Sequence, residues 1–310
     1  MSYNYEEITF PSTDGKNTVR GYIYTPKNVT TRGIVQLAHG MIDYVGRYSE
    51  LADYLTAHGY IFAGNDHLGH GRTARTAEDL GYFADKDGYK YVIEDVHKMN
   101  KHLRDAFPAL PLVLLGHSMG SFIARLYIEA HPHSASGLII HGTSGPNPLL
   151  PMGMAVASLV RLFRGPRHRS RLIKELAFGS YNNKFPKGEG ADAWLTREVE
   201  LVSGRSTDPY TSYIFTTAGY QDLFRMTSDC NKRAWFENYP TNIRTLVISG
   251  DMDPVGNYGK GPEFVYRQLL MRGRDKVTLK IYEGARHELF NETNRAEVFE
   301  YMVLWLDGDK

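Results

Sequence analysis

Four consecutive apolar residues, Leu112-Val-Leu-Leu115, run directly into Gly116-His-Ser-Met-Gly120, and a helical pattern follows at once. A short, continuously apolar run suits a parallel strand buried on both faces. Beyond the second glycine, Phe122, Ile123, Leu126 and Tyr127 recur at helical spacing as far as Ala130. The five-residue pattern G-x-S-x-G is common by itself, but a strand before it and a helix after it make it specific. The chain must reverse within a few residues, which forces the serine into a strained conformation and lifts its hydroxyl above the sheet. The flanking glycines leave room for that turn, and the helix amino terminus favours negative charge developing there. Ser118 is therefore expected to be a nucleophile; the plain alternative is an ordinary glycine-rich turn.

The rest of the chain supplies a sheet to hold such a turn. Strands are expected at 5–10 and 20–25, joined by the turn pair Asp14-Gly15, and at 33–38, 60–64, 112–115 and 137–141. Helices are expected at 48–57 and 91–107, the second with Val92, Val96, Met99, Leu103 and Ala106 alternating by four and three before Pro108 ends it. Alternation of this kind predicts a mostly parallel, eight-stranded α/β sheet with helices on both faces. The rhythm breaks from 143 to 242, where helical patterns and loops replace it. It resumes with strands at 245–249 and 277–282, a helix at 262–272 and a last helix ending near Leu306. The expected organisation is a core of residues 1–142 and 243–310. Residues 143–242 form a mostly helical cap over the carboxyl ends of the strands, where ligands of open α/β sheets bind. The alternative is a separate helical domain.

A serine hydroxyl needs a base to take its proton. On such an elbow the orienting acid follows in sequence and the histidine comes last. His287, in Tyr282-Glu-Gly-Ala-Arg-His287 just after the final strand, fits the base. Two acids follow the preceding strand in Ser249-Gly-Asp-Met-Asp-Pro254, and spacing does not separate Asp251 from Asp253. Backbone N–H groups of Met119, next to the nucleophile, and Met41, in the loop after the third strand, are the expected oxyanion donors.

Composition removes other classes. Thirty-six basic residues against 35 acidic ones leave a net charge of +1, with no general pull towards nucleic acid. One cysteine, Cys230, forms no internal disulfide. There is no basic-then-apolar leader in the first residues and no apolar run near the roughly 20 residues that cross a bilayer. The expectation is a soluble cytoplasmic protein. Neither a P-loop nor H-E-x-x-H occurs, so no cofactor and no metal is expected, and Asp66-His67 with His70 reads as a hydrogen-bonded loop.

Taken together, His39-Gly40-Met41 with Gly46-Arg47-Tyr48, Asp66–His70-Gly71, Gly116–Gly120, Ser249–Pro254 and Tyr282–His287 make a chain that resembles the monoacylglycerol lipase and lysophospholipase branch of the α/β-hydrolases. That branch shares its core with the S33-type serine aminopeptidases. The resemblance spans nearly the whole sequence and implies an α/β-hydrolase fold, a Ser118–His287–Asp253 triad with Asp253 preferred over Asp251, and no metal. Thr73 stands where the family usually has serine. The substrate it implies is an acyl ester, lipid-like, such as a monoacylglycerol or lysophospholipid. Two rivals are an amidase or peptidase, for which Glu189, Asp192, Glu198 or Glu200 would have to receive an amino terminus, and a binding protein without activity.

Within the cap, Met152, Val156, Leu159, Val160 and Phe163 form one helical stripe. Beside it Arg161, Arg164, Arg167, Arg169, Arg171 and Lys174 run without an acid. Such a pair of features can dock on anionic lipid and associate the protein peripherally with a membrane; a solvated loop is the alternative. The stretch 210–215 with Tyr220, Leu223 and Phe224 is a further candidate for the pocket wall. Oligomeric state does not follow from the sequence.

Overall fold

A computed structural model of the chain describes residues 3–308, so the outermost two residues of the stretches 1–142 and 243–310 lie outside the described residues. Eight strands form one sheet: β1 (Tyr3–Pro11), β2 (Thr18–Pro26), β3 (Gly33–Ala38), β4 (Tyr60–Asn65), β5 (Leu112–His117), β6 (Gly137–His141), β7 (Arg244–Gly250) and β8 (Val277–Tyr282). Their spatial order is β1-β2-β4-β3-β5-β6-β7-β8. The first two pairings, β1 with β2 and β2 with β4, are antiparallel, and β4 through β8 run parallel. The antiparallel entry follows from its turn, where the Asp14 carboxylate accepts the N–H groups of Lys16 (2.8 Å) and Asn17 (2.9 Å) and fixes a tight reversal.

Five helices clothe the sheet: α1 (Ser49–Ala57), α2 (Gly88–Ala106), α3 (Met119–Ala130), and, after the insertion, α9 (Lys260–Leu270) and α10 (Arg295–Asp307). Neighbouring residues of one strand serve opposite faces, as the pleat requires. Leu114, Leu138 and Val247 pack with Val96, Ile123 and Val265 on one side. Leu115, Ile139 and Leu246 pack with Leu51, Val298 and Trp305 on the other. Helix α2 begins three residues before the sequence pattern suggests. The buried Asp222 carboxylate lies beside the first turn, where a Cβ on Gly88 would come within 2.8 Å of its Oδ2; burial raises its pKa and the amides of Gly88 and Tyr89 act against that rise.

Between β6 and β7 the chain forms α4 (Leu150–Arg164), α5 (Arg171–Phe178), α6 (Val199–Gly204), α7 (Thr217–Asp229) and α8 (Arg233–Asn238), with no strand among the described residues. Helix α7 packs on α2 and α3 below and on α4 above. The two ends of this insertion meet at Arg125 of α3. Its guanidinium donates to Thr143 Oγ1 (3.2 Å), Ser144 O (3.3 Å), Asn231 Oδ1 (3.2 Å) and Cys230 O, and it lies 4.3 Å from the ring centre of Trp235. Cys230 is buried and unpaired, its thiol pushed up to about 11 by burial.

Candidate active site

The carboxyl ends of β3, β5, β6, β7 and β8 lie side by side, and every residue singled out for chemistry sits on a loop leaving one of them. Ser118 follows β5 with φ 54° and ψ −120°, a region that costs a residue with a side chain of order 1–3 kcal/mol. The surroundings enforce it. Its N–H donates to His141 O (2.9 Å) and its carbonyl accepts from Ser121 N (2.8 Å). A Cβ at Gly120 would sit 1.9 Å from Ala38 O, and one at Gly116 would sit 2.3 Å from Gly120 O. Only glycine lets the strand, the turn and the helix approach this closely.

Asp253 and His287 meet from different strands. His287 Nδ1 lies 2.9 Å from Asp253 Oδ2, and both side chains are almost fully buried. The same oxygen receives the Ser249 hydroxyl at 3.3 Å, while Oδ1 accepts Val255 N–H at 2.8 Å. A carboxylate can only accept, so the imidazole proton belongs on Nδ1 and Nε2 keeps its lone pair. Asp251 points elsewhere, its Oδ1 accepting Gly284 N–H at 2.7 Å. Ser118 and His287 border one cavity, and the rings of His117 and Trp194 stand 4.9 and 5.2 Å from that of His287.

Met119 opens α3, so its N–H has no partner within the helix. The peptide carrying the Met41 N–H is held by its neighbour. His39 Nε2 accepts His67 N–H at 3.0 Å, which leaves the ring proton on Nδ1, and Nδ1 donates to Gly40 O at 2.9 Å. No peptide bond is cis, so the N–H of Met41 points opposite to that carbonyl and away from the His39 ring. His39, His67 and His70 pack together, and burial depresses all three, His70 to about 3. They stay neutral at pH 7. Among the described residues no group of three or more histidine, cysteine or acidic side chains could hold a metal ion. The Asp66 loop is tied instead by backbone: its carboxylate accepts Val45 N–H (3.0 Å) and Arg72 N–H (2.8 Å). Thr73 keeps the hydroxyl of the family's serine, donating to Asp66 O at 2.8 Å.

A buried chain of charges that no sequence motif marks lies beside these groups. Asp43, Arg47, Glu288 and Arg205 follow one another in ion pairs of 2.9, 2.8 and 3.3 Å. Burial alone would raise the Glu288 carboxyl, but Arg47 and Arg205 outweigh it and hold the group well below the usual carboxylate range. The signal available in the sequence was adjacency, since Glu288 follows His287 and Asp43 lies two residues after Met41.

The cavity has a volume of about 1010 Å³ and runs from Ser118 beneath α4, α5 and α7. Val156, Ile173, Phe178, Tyr220, Leu223 and Phe224 give it an apolar wall. The stripe on α4 is divided. Val156 and Val160 pack inward, whereas Met152, Leu159 and Phe163 are exposed, with Leu162 and Phe163 each 76% accessible. The basic run is divided too. Arg167 lies over the Tyr82 ring at 3.8 Å and pairs with Asp79, and Arg169 donates to Ala77 O and Ile214 O. Arg164, Arg171 and Lys174 remain exposed. Of the four acids considered for an amino terminus, Glu189 pairs with Arg286 and Glu198 with Arg295. Asp192 alone of the four borders the cavity.

An eight-stranded sheet of this order with a serine on its strand-to-helix turn defines an α/β-hydrolase. The chain belongs to the family described as serine aminopeptidase, S33, whose profile matches residues 29–294. It is 29% identical to a monoacylglycerol lipase of Mycolicibacterium smegmatis over 92% of this chain and 91% of the relative. It is 25% identical to a monoglyceride lipase of Homo sapiens over 89% and 83%. Among solved structures, a thermostable carboxyl esterase from Bacillus coagulans in complex with glycerol matches with 32% identity and a TM-score of 0.91, covering 98% of each chain. The protein is a carboxylic ester hydrolase of this fold.

Proposed function

We propose that the protein hydrolyses acyl esters of lipid-like alcohols, such as monoacylglycerols or lysophospholipids, through Ser118, His287 and Asp253. The observation that carries this reading is an apolar cavity of about 1010 Å³ that ends on Ser118 and His287, large enough for a long acyl chain. His287 Nε2 takes the Ser118 proton as Oγ attacks the ester carbonyl. The N–H groups of Met41 and Met119 receive the oxyanion. The C–O bond to the alcohol breaks as His287 returns the proton to it, leaving an acyl-serine. Water, deprotonated by the same ring, then releases the acid. Asp253 holds the ring and stabilises its cation.

Residues 143–242 act in this proposal as a cap that selects the acyl chain, and the exposed Leu162 and Phe163 beside Arg164 and Arg171 rest on anionic lipid. Among the described residues no helix is long and apolar enough to cross a membrane, so such contact is peripheral. For an amidase reading the one acid of the four that borders the cavity is Asp192, which already faces Arg205 Nε at 4.0 Å, while Glu189 and Glu198 are paired with arginines away from it.

Labelling with a fluorophosphonate serine probe, then turnover of p-nitrophenyl esters of increasing chain length, tests the proposal. Wild type is expected to label and Ser118→Ala not to; equal labelling of both removes it. Co-sedimentation with phosphatidylglycerol vesicles, absent with phosphatidylcholine, tests the lipid contact, and no binding to either removes that part.

A further inference from the structure

The chain of buried charges closes on itself. Arg205 Nη1 reaches Glu288 Oε1 at 3.3 Å, and Nη2 of the same guanidinium donates to Ile42 O at 3.2 Å. Ile42 is the residue after Met41. It adopts φ 55°, a left-handed conformation that β-branched side chains rarely enter. Two residues earlier, Gly40 N–H donates to Asp43 Oδ2 at 3.2 Å, where the Tyr48 hydroxyl also binds at 2.6 Å. Asp43 in turn meets Arg47, and Arg47 meets Glu288 with both terminal nitrogens, at 3.2 and 2.8 Å. The circuit therefore leaves the 40–43 loop through Asp43, passes the residue next to His287, and returns to the loop through Arg205.

Three of its four charged members belong to the strand-end loops; Arg205 comes from the inserted segment, one residue after α6. Its side chain is 11% exposed, and those of Asp43 and Glu288 are 3% and 7% exposed. The two buried acids, Asp43 and Glu288, are balanced by two arginines only while Arg205 is docked; a third carboxylate, the half-exposed Asp192 of the same inserted segment, reaches Arg205 Nε at the longer distance of 4.0 Å. Without it, a net negative charge is buried beside the place where an oxyanion forms, and the strained Ile42 peptide loses the donor on its carbonyl. Both effects act on the Met41 N–H, which lies between the Gly40 and Ile42 anchors.

We infer that Arg205 is a positioning residue through which docking of the inserted segment completes the oxyanion hole. The site is thus assembled by the cap as well as covered by it. This inference rests on the proposed roles of Ser118 and Met41. A donor displaced by about 1 Å costs on the order of a hundredfold in turnover, and the deficit falls on the tetrahedral state, not on ground-state binding.

The test uses the full chain and p-nitrophenyl butyrate, whose short acyl group leaves most of the cavity wall untouched. Arg205→Met is expected to lower kcat at least tenfold with KM within about twofold, and to weaken inhibition by butylboronic acid, which forms a tetrahedral anion on serine, by a similar factor. Arg205→Lys, which keeps the charge but cannot hold both acceptors, is expected to fall between the two, and it carries the test if the Met variant fails to fold. Arg197→Met is the control, because Arg197 fastens the same segment to Glu292 at 2.8 Å without touching the circuit; its kcat should match wild type. Unchanged kcat in both Arg205 variants, a change confined to KM, or an equal loss in Arg197→Met overturns the inference. Fluorophosphonate labelling of wild type and Ser118→Ala is read separately, so a failed site assignment is told apart from a failed role for Arg205.

Discussion

Lowering the pH from 7 to 4.5 should destabilise the fold, and the size of the loss can be worked from the buried histidines. His39, His67, His70, His117 and His141 are all depressed chiefly by burial, with His70 and His141 near 3. In the unfolded chain a histidine takes its proton near pH 6.5. Between that value and about 3 the unfolded state binds protons that the fold refuses, so stability is lost as pH falls. At pH 4.5, two units below the unfolded value, His70 and His141 together cost about 5 kcal/mol. Buried carboxylates oppose them, Asp222 most strongly. Burial raises Asp222 to about 7, so the fold keeps a proton there that the unfolded chain releases near 3.9. Its stabilisation grows by about 3 kcal/mol over the same interval. Burial raises Asp66 and Asp95 as well, in the same sense as Asp222, whereas His39, His67 and His117 add to the loss. For His70, His141 and Asp222 the balance is a loss of about 2 kcal/mol by pH 4.5, to be set against the 5–15 kcal/mol typical of a domain. Urea unfolding at pH 7.0, 5.5 and 4.5 measures it. Asp222→Asn should steepen the decline by about 3 kcal/mol by removing the opposing group. A wild type equally stable at pH 7 and 4.5, with Asp222→Asn showing no steeper slope, would refute the account, because the histidines would then carry their protons inside the fold.

Three further outcomes are expected. Gly120→Ala forces a Cβ to within 1.9 Å of the Ala38 carbonyl; since backbone and not a flexible side chain must yield, thermal unfolding should register a cost above about 3 kcal/mol, and a melting temperature within 2 °C of wild type, by the roughly 2–4 °C per kcal/mol of a large domain, contradicts it. Asp253→Asn should lower kcat by on the order of 10⁴, as loss of the tautomer-fixing carboxylate does elsewhere, whereas Asp251→Asn, which loses only the Gly284 contact, should stay within about tenfold; steady-state kinetics showing the reverse order would reassign the acid. Arg125→Met strips donors from Ser144 O and Cys230 O at both ends of the insertion and should cost about 2–4 kcal/mol in urea unfolding, with a value under 0.5 kcal/mol counting against the pin.

What could be read without coordinates was whatever a local pattern enforces. The strand into Gly116, the helix out of Gly120 and the steric need for both glycines are consequences of a few adjacent residues, and the mostly parallel sheet follows from the alternation around them, whereas the placing of β4 between β2 and β3 does not. Asp251 and Asp253 show where that reach stops. They are two residues apart with the same chemistry, and only the fold shows that one carboxylate faces the His287 ring while the other ties a turn. The 143–242 segment was harder because its apolar and basic residues are used on two sides at once. Val156 faces the cavity and Leu159 faces out from the same helix, and Arg169 reaches back to the core while Arg171 does not. Helical spacing records that a stripe exists and not which neighbour it meets. Arg205 is the extreme case: nothing around it in the sequence marks it, because its partners Ile42 and Glu288 are 163 and 83 residues away. Its position makes physical sense only as an exchange. Ile42 holds a left-handed backbone that a β-branched residue rarely adopts, and Arg205 of the inserted segment brings a donor to its carbonyl and a charge to Glu288. If Arg205 has the proposed role, a homologue with a different insertion must either provide an equivalent cation or relax the loop, and the proposed cap would then be tied to the chemistry beneath it.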